Sequence, residues 1–171
     1  MTLTDADAIK IIQQLRGRIW HTTSIDGLRG IVADQCIKVN RGDLSNAYFQ
    51  SKCSNCFEEG AVSLFDLVTH RDTDLVGDDL DLLGKWPHVM FRHFPTVFLA
   101  MSLHSLAPNL LFYPELKRRR GLGGIIPRIE ICHVGDIPFR QVLQVGIWRQ
   151  EAPLSIHLFP TVQDAFSHLH P

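Results

Sequence analysis

The sequence predicts an α+β domain, and three patterns carry that expectation. Apolar residues recur at helical spacing near the start, in Ala8, Ile11, Ile12 and Leu15, and a helical signal returns at the end of the chain. Between these, runs rich in β-branched and aromatic residues, such as "GAVSLFDL" and "HFPTVFLAMS", mostly succeed one another, unlike the strict strand–helix alternation of a parallel sheet. The third pattern is compositional. With 171 residues, 45% of them hydrophobic, and ten phenylalanines, residues 1–171 form a single domain with a sizeable core.

The elements follow in order. Asp5 caps a first helix through about Leu15, and Gly17 ends it. Arg18–Thr22 reads as a strand, and Ser24 opens a helix to about Asp34 that buries Leu28, Ile31 and Val32. "CIKVN", residues 36–40, is a second short strand. Residues 41–59 show neither period and read as a long loop, a kind that is often functional. "GAVSLFDL" (60–67) is a buried strand, the leucines of the acidic stretch 71–86 suggest one short helix, and "HFPTVFLAMS" is the next strand. Residues 103–124 look irregular. "IIPRIEICHV" (125–134) is a strand, and "DIPFRQVLQVGIW" is a turn, a helical turn and a strand. Thr161 with Asp164 resembles a capping box for a last helix, Val162 to Leu169.

A formal net charge of −1 argues against a surface coated in positive charge for non-specific nucleic-acid binding, but allows a local basic site. The segment "MTLTDADAIK" lacks the basic-then-apolar order of a signal peptide, and no apolar run reaches the roughly 18–20 residues of a membrane span. The expectation is a cytoplasmic protein with no membrane partner, its four cysteines reduced.

Among candidate constellations, Cys53-Ser54-Asn55-Cys56 is a CxxC without the second pair a zinc site needs, so no metal is expected. Cys36 and Cys132 fall in strands, where cysteine acts as a small hydrophobe. There is no HExxH, GxSxG, Walker A or GxGxxG motif. Lys117-Arg118-Arg119-Arg120, followed by Gly-Leu-Gly-Gly, reads either as a solvated surface loop or as a mobile loop that grips phosphate. Glu130 lies in mid-strand, sharing a face with Arg128 and Cys132, while Ile129 and Ile131 share the other. A glutamate there faces water on an edge strand, pairs with a cross-strand base, or lines a cleft, and the pattern leaves these open. His21, beside Trp20 and followed by Thr22 and Thr23, is either a half-buried packing residue or part of a polar reader at a strand end.

Together, "IWHTTSIDGLRGIVADQCIKVN" and "IPRIEICHVGDIPFRQVLQVGI" resemble the two ends of the ADP-ribosyltransferase superfamily. The first matches its strand with His-x-Thr followed by a helix and a short strand. The second matches its glutamate strand and the segment after it. The similarity is closest to DarT-like DNA ADP-ribosyltransferase toxins, and more distant to RNA 2′-phosphotransferases. The resemblance implies two small, mostly antiparallel sheets enclosing an NAD cleft, with NAD as the ADP-ribose donor. It implies that His21, Thr22 and Thr23 bind NAD, with Tyr48 or Phe65 available to stack on nicotinamide. Glu130 takes the place of the catalytic glutamate, and Arg41 that of an arginine near the NAD phosphates. Lys117, Arg118, Arg119 and Arg120 would meet a macromolecular acceptor, DNA or RNA in preference to protein. Arg128 stands where arginine-specific members carry the first glutamate of Glu-x-Glu, which argues against protein-arginine modification. A bacterial toxin or effector, with an antitoxin or immunity partner, is the implied setting. The alternatives are an RNA 2′-phosphotransferase-like enzyme and an inactive binding module of the same fold. The assignment requires His21 and Glu130 to face one cleft from neighbouring strands.

Overall fold

The computed structural model describes residues 13–42, 55–68, 95–120, 129–149 and 155–169. Residues 13–15 are helical, and Gly17, at φ +85°, turns the chain into strand β1, Ile19–Thr23. That backbone angle costs glycine nothing because it lacks a Cβ. Ser24 then caps helix α1, Ile25–Asp34, its hydroxyl accepting the Gly27 amide at 3.0 Å. Strand β2, Cys36–Ile37, stops short of the predicted 36–40. The reason is local: the Val39 amide donates to the Asp136 carboxylate at 2.8 Å instead of to a neighbouring strand.

Helix α2 is Asn55–Glu58 and strand β3 is Ala61–Asp66. Strand β4, Thr96–Met101, is followed by helix α3, Leu103–Leu106, and a 3₁₀ turn over Ala107–Asn109. Strand β5, Leu110–Leu111, leads to helix α4, Tyr113–Arg120. The predicted irregular stretch and basic loop are therefore largely helical. In α4, Glu115 accepts from Arg118 at 2.7 Å and from Arg119 at 2.7 Å, which are i+3 and i+4 contacts of one helix face. Strand β6 is Glu130–Val134 and β7 is Ile137–Pro138. A 3₁₀ turn at Phe139–Gln141 opens β8, Val142–Trp148, which is followed by β9, Ile156–Phe159. Helix α5 spans Val162–Leu169, as its capping box predicted, with the Asp164 amide donating to Thr161 Oγ1 at 3.1 Å. The expected first helix up to residue 12, most of the 41–59 loop, the acidic stretch 71–86 and the glycines after the basic run lie outside the described residues.

Seven strands form one sheet in the order β5-β6-β3-β1-β4-β8-β9, and β2 pairs β7 separately. Among the described residues every pairing is antiparallel. In place of the two small sheets expected, there is a large sheet with a narrow waist. β3 pairs β6 from Ala61↔Val134 to Phe65↔Glu130, and β1 pairs β4 along its whole length. β1 and β3 meet only at Ile19↔Asp66 and Trp20↔Phe65.

One face of the sheet carries Ile19, Leu64, Ile131, Leu99, Val145 and Ile147, packed with Leu28 of α1 and Ala165 of α5 in a single apolar cluster. The register turns Trp20, Phe98 and Trp148 to the opposite face, where the Trp20 and Phe98 rings meet edge to face at 6.2 Å.

The expected set of reduced thiols is corrected at two positions: Cys56 of α2 and Cys132 of β6 form a disulfide, and Cys36 is a free thiol. Their Cα atoms lie 5.4 Å apart, within the span a disulfide bridges. Among the described residues, no helix is long and apolar enough to cross a membrane.

Candidate active site

Where β1 leaves β3 after the Trp20↔Phe65 pair, three polar residues, His21, Ser63 and Glu130, are linked by hydrogen bonds. Glu130 opens β6 and is 7% exposed, a depth at which a carboxylate needs a partner. The Ser63 hydroxyl donates to Glu130 Oε1 at 2.6 Å. The Ser63 carbonyl lies 3.1 Å from His21 Nδ1. A carbonyl can only accept, so Nδ1 carries the proton, and in the neutral ring Nε2 is the acceptor. Ser63 thus links the histidine strand to the glutamate strand, through its main chain on one side and its hydroxyl on the other.

The expectation that His21 and Glu130 face one cleft from neighbouring strands is not met: β3 lies between β1 and β6, and the two residues stand on opposite faces of the sheet. Registers place Glu130 on the face of Phe65 and Trp20, whereas His21 pairs Leu99 and shares the face of the apolar cluster. The two residues are coupled across β3 at the waist, where β1 and β3 cease to pair. Alternation along β6 follows the sequence pattern, with Glu130 and Cys132 on one face and Ile131 on the other.

Thr22 and Thr23 complete β1, both half-buried. Gly27, in the first turn of α1, accommodates the Thr23 side chain: a Cβ built on Gly27 would collide with Thr23 Oγ1. The hydroxyls of Thr23 and Ser24 are therefore gathered at the N-terminus of α1, beside the end of the histidine strand. Phe65 is 4% exposed, the direct cross-strand partner of both Trp20 and Glu130. Arg41 is exposed beyond β2, next to the turn in which Asn40 Oδ1 accepts the Gly42 amide at 2.9 Å. Tyr48 lies outside the described residues.

The basic run stands on α4, which packs against β6. Arg118 and Arg119 are exposed, but both are engaged by Glu115, and Arg119 also reaches Glu59 at 3.0 Å. Hydrogen bonds from Arg118 and then Arg119 hold the Glu115 carboxyl below its usual range. The run is thus partly neutralised by acids that the sequence reading did not set against it. Glu115 was legible as an i,i+4 partner once α4 is helical; Glu59, from another element, was not.

No group of three or more histidine, cysteine or acidic residues that could hold a metal occurs among the described residues. A depression of about 270 Å³ lies elsewhere, between Phe139, Gln144, Thr161 and Val162, and none of the predicted site residues lines it. Ser63 is the residue the motifs did not single out for a role. Its signal in the sequence is its polarity between Val62 and Leu64.

No protein-family model matches the chain, and no curated protein is significantly similar to it.

Proposed function

We propose that the chain transfers ADP-ribose from NAD to a macromolecular acceptor, nucleic acid in preference to protein. One observation carries the reading: a buried glutamate, held by a serine hydroxyl and coupled to a histidine through that serine's carbonyl, sits where two strands of a sheet part. The resemblance of the His21 and Glu130 segments to the two ends of the ADP-ribosyltransferase family supplies the chemistry to test.

NAD as donor would supply a glycosidic bond whose cleavage leaves positive charge on the ribose. A carboxylate fixed beside that charge lowers the barrier to its formation, because its orientation is set before the reaction begins. Glu130 is the carboxylate for this role, and the Ser63 hydroxyl sets which way its oxygen points. Thr23 and the His21 ring offer the donors and acceptors that hold a ribose. Arg41 is the candidate for the NAD phosphates and Lys117–Arg120 for the phosphates of the acceptor.

The test is label transfer from NAD carrying a tag on its adenosine, offered DNA, RNA and protein acceptors in separate reactions. Glu130→Gln keeps the size of the side chain and removes its charge, and it should cut transfer by about 100-fold or more while circular dichroism remains unchanged. Transfer that continues at the same rate in Glu130→Gln would overturn the catalytic role. NAD binding without transfer to any acceptor would favour a binding module of the same fold, and release of a 2′-phosphate from RNA would favour the phosphotransferase.

A further inference from the structure

Three elements meet at the Cys56–Cys132 disulfide. It joins α2 to β6 across 76 residues of sequence, with both cysteines buried. Cys132 is the cross-strand partner of Ser63 and lies on the same strand face as Glu130. Leu116, the fully buried leucine of α4, packs with both cysteines and Ala61, and Leu111 closes the cluster. Arg119 reaches Glu59, the residue immediately after α2. α2 is a helix of four residues, far below the length that holds itself together in water. Apart from Leu116, α4 is strongly polar, so its seat is this cluster. The strands at the centre of the sheet, β1, β4 and β8, are joined by ladders that involve neither cysteine.

We propose that the Cys56–Cys132 disulfide is a redox clasp. Oxidised, it fastens α2 to the glutamate strand and seats α4, with its basic run, beside that strand. Reduced, it lets α2 and α4 loosen while the central sheet stays folded. The reductant is a dithiol: one of its thiolates attacks a protein sulfur, the S–S bond breaks, and the second thiol displaces the first cysteine as the reagent closes to its own disulfide. Two S–H bonds form on the protein, and two electrons and two protons come from the dithiol. Because both sulfurs are buried, attack waits on local opening of α2 and α4, so reduction is slow in the native protein and faster wherever those helices open.

The clasp makes no use of NAD, so its test stands apart from that of the proposed transfer. The protein is alkylated with and without dithiothreitol and its cysteines mapped by peptide mass. Amide exchange is then measured on the oxidised protein, the reduced protein and the double variant Cys56→Ala/Cys132→Ala. We expect Cys56 and Cys132 to resist alkylation until reduced. Exchange over 55–60 and 113–120 should accelerate about tenfold or more in both the reduced protein and the variant, with β1, β4 and β8 changed by less than about twofold. Alkylation of both cysteines without reductant, or a Cys53–Cys56 link in their place, overturns the proposal. So does unchanged exchange over α2 and α4. Uniform acceleration across every strand, or a double variant that does not fold while reduced wild type unfolds with it, also overturns it, because the bond would then hold the whole fold.

Discussion

Ser63 owes its position to two demands made on it at once. Its carbonyl accepts a hydrogen bond from His21 Nδ1, and its hydroxyl donates one to Glu130. Valine or alanine in its place would keep the first bond, which is main chain, and lose the second. Ser63→Ala therefore isolates the hydroxyl. A hydrogen bond to a charged group contributes about 1.5–3 kcal/mol, so its loss weakens the hold on the carboxylate. We expect Ser63→Ala to lower the rate of the proposed ADP-ribose transfer about 10- to 100-fold while leaving the dissociation constant for NAD within about threefold. Pre-steady-state transfer and a separate NAD titration measure the two. Equal losses in rate and binding would mean that Ser63 shapes the whole site instead of orienting one carboxylate.

Helix α4 shows how an element can be hidden in a charged sequence. "YPELKRRRGLGG" reads as a loop because its apolar content is low and glycines follow, and periodicity has little to act on. The helix exists because one glutamate accepts from arginines three and four residues on, and because Leu116 finds a buried seat that belongs to other elements. The first cause is legible only once the segment is taken as helical, and the second depends on other elements. By contrast α1 and α5 are written locally, each with its own capping hydroxyl at Ser24 or Thr161, and their bounds were legible. The strands β5, β7 and β9 were missed for the same reason as α4: two to four residues each, they are strands only because a neighbour pairs them. The site divides in the same way. His21 and Glu130 stand out as polar residues in apolar strands, whereas the serine that couples them became visible only through register.

The same network gives α4 a pH dependence. Hydrogen bonds from Arg118 and Arg119 hold the Glu115 carboxyl below its value in an unfolded chain. A depressed carboxylate contributes stability that is complete above the unfolded value, about 4.3, and is lost as pH falls through the lower folded value. Protection of the α4 amides should therefore be level from neutral pH down to about 5 and should fall as the pH drops further. Glu115→Gln should bring the loss to neutral pH, raising exchange about two- to fivefold, the size typical of exposed ion pairs. Amide exchange of wild type and variant across that range measures both. A wild-type profile that is flat to pH 2, or a variant indistinguishable from wild type at pH 7, would show that Leu116 alone holds the helix.

At the scale of the whole molecule, the sheet has a closely paired half and a waist where pairing is short. β4 and β8 pair over six positions, and Gly146 of β8 lies against Phe98 and the side chains of β9. A Cβ there would stand 2.9 Å from Ile156 Cγ2, 3.2 Å from Leu158 Cδ2 and 3.3 Å from Phe98 Cβ, so these side chains must shift to admit it. At the waist β1 and β3 share two paired positions, and beside them Ser63 is hydrogen-bonded to His21 through its carbonyl and to Glu130 through its hydroxyl. If the closely paired half carries stability and the waist carries chemistry, damage to one should spare the other. Gly146→Ala overpacks a filled contact, and such changes cost about 1–3 kcal/mol. Urea unfolding should show a lower midpoint of that size with an unchanged slope, since the surface exposed on unfolding is the same. Below the transition, the proposed ADP-ribose transfer by Gly146→Ala should stay within about twofold of wild type, because β4 and β1 separate Gly146 from Ser63 and distant sites act independently. A loss of transfer in folded Gly146→Ala protein would show instead that strain at β8 reaches the waist, and that the sheet responds as one body.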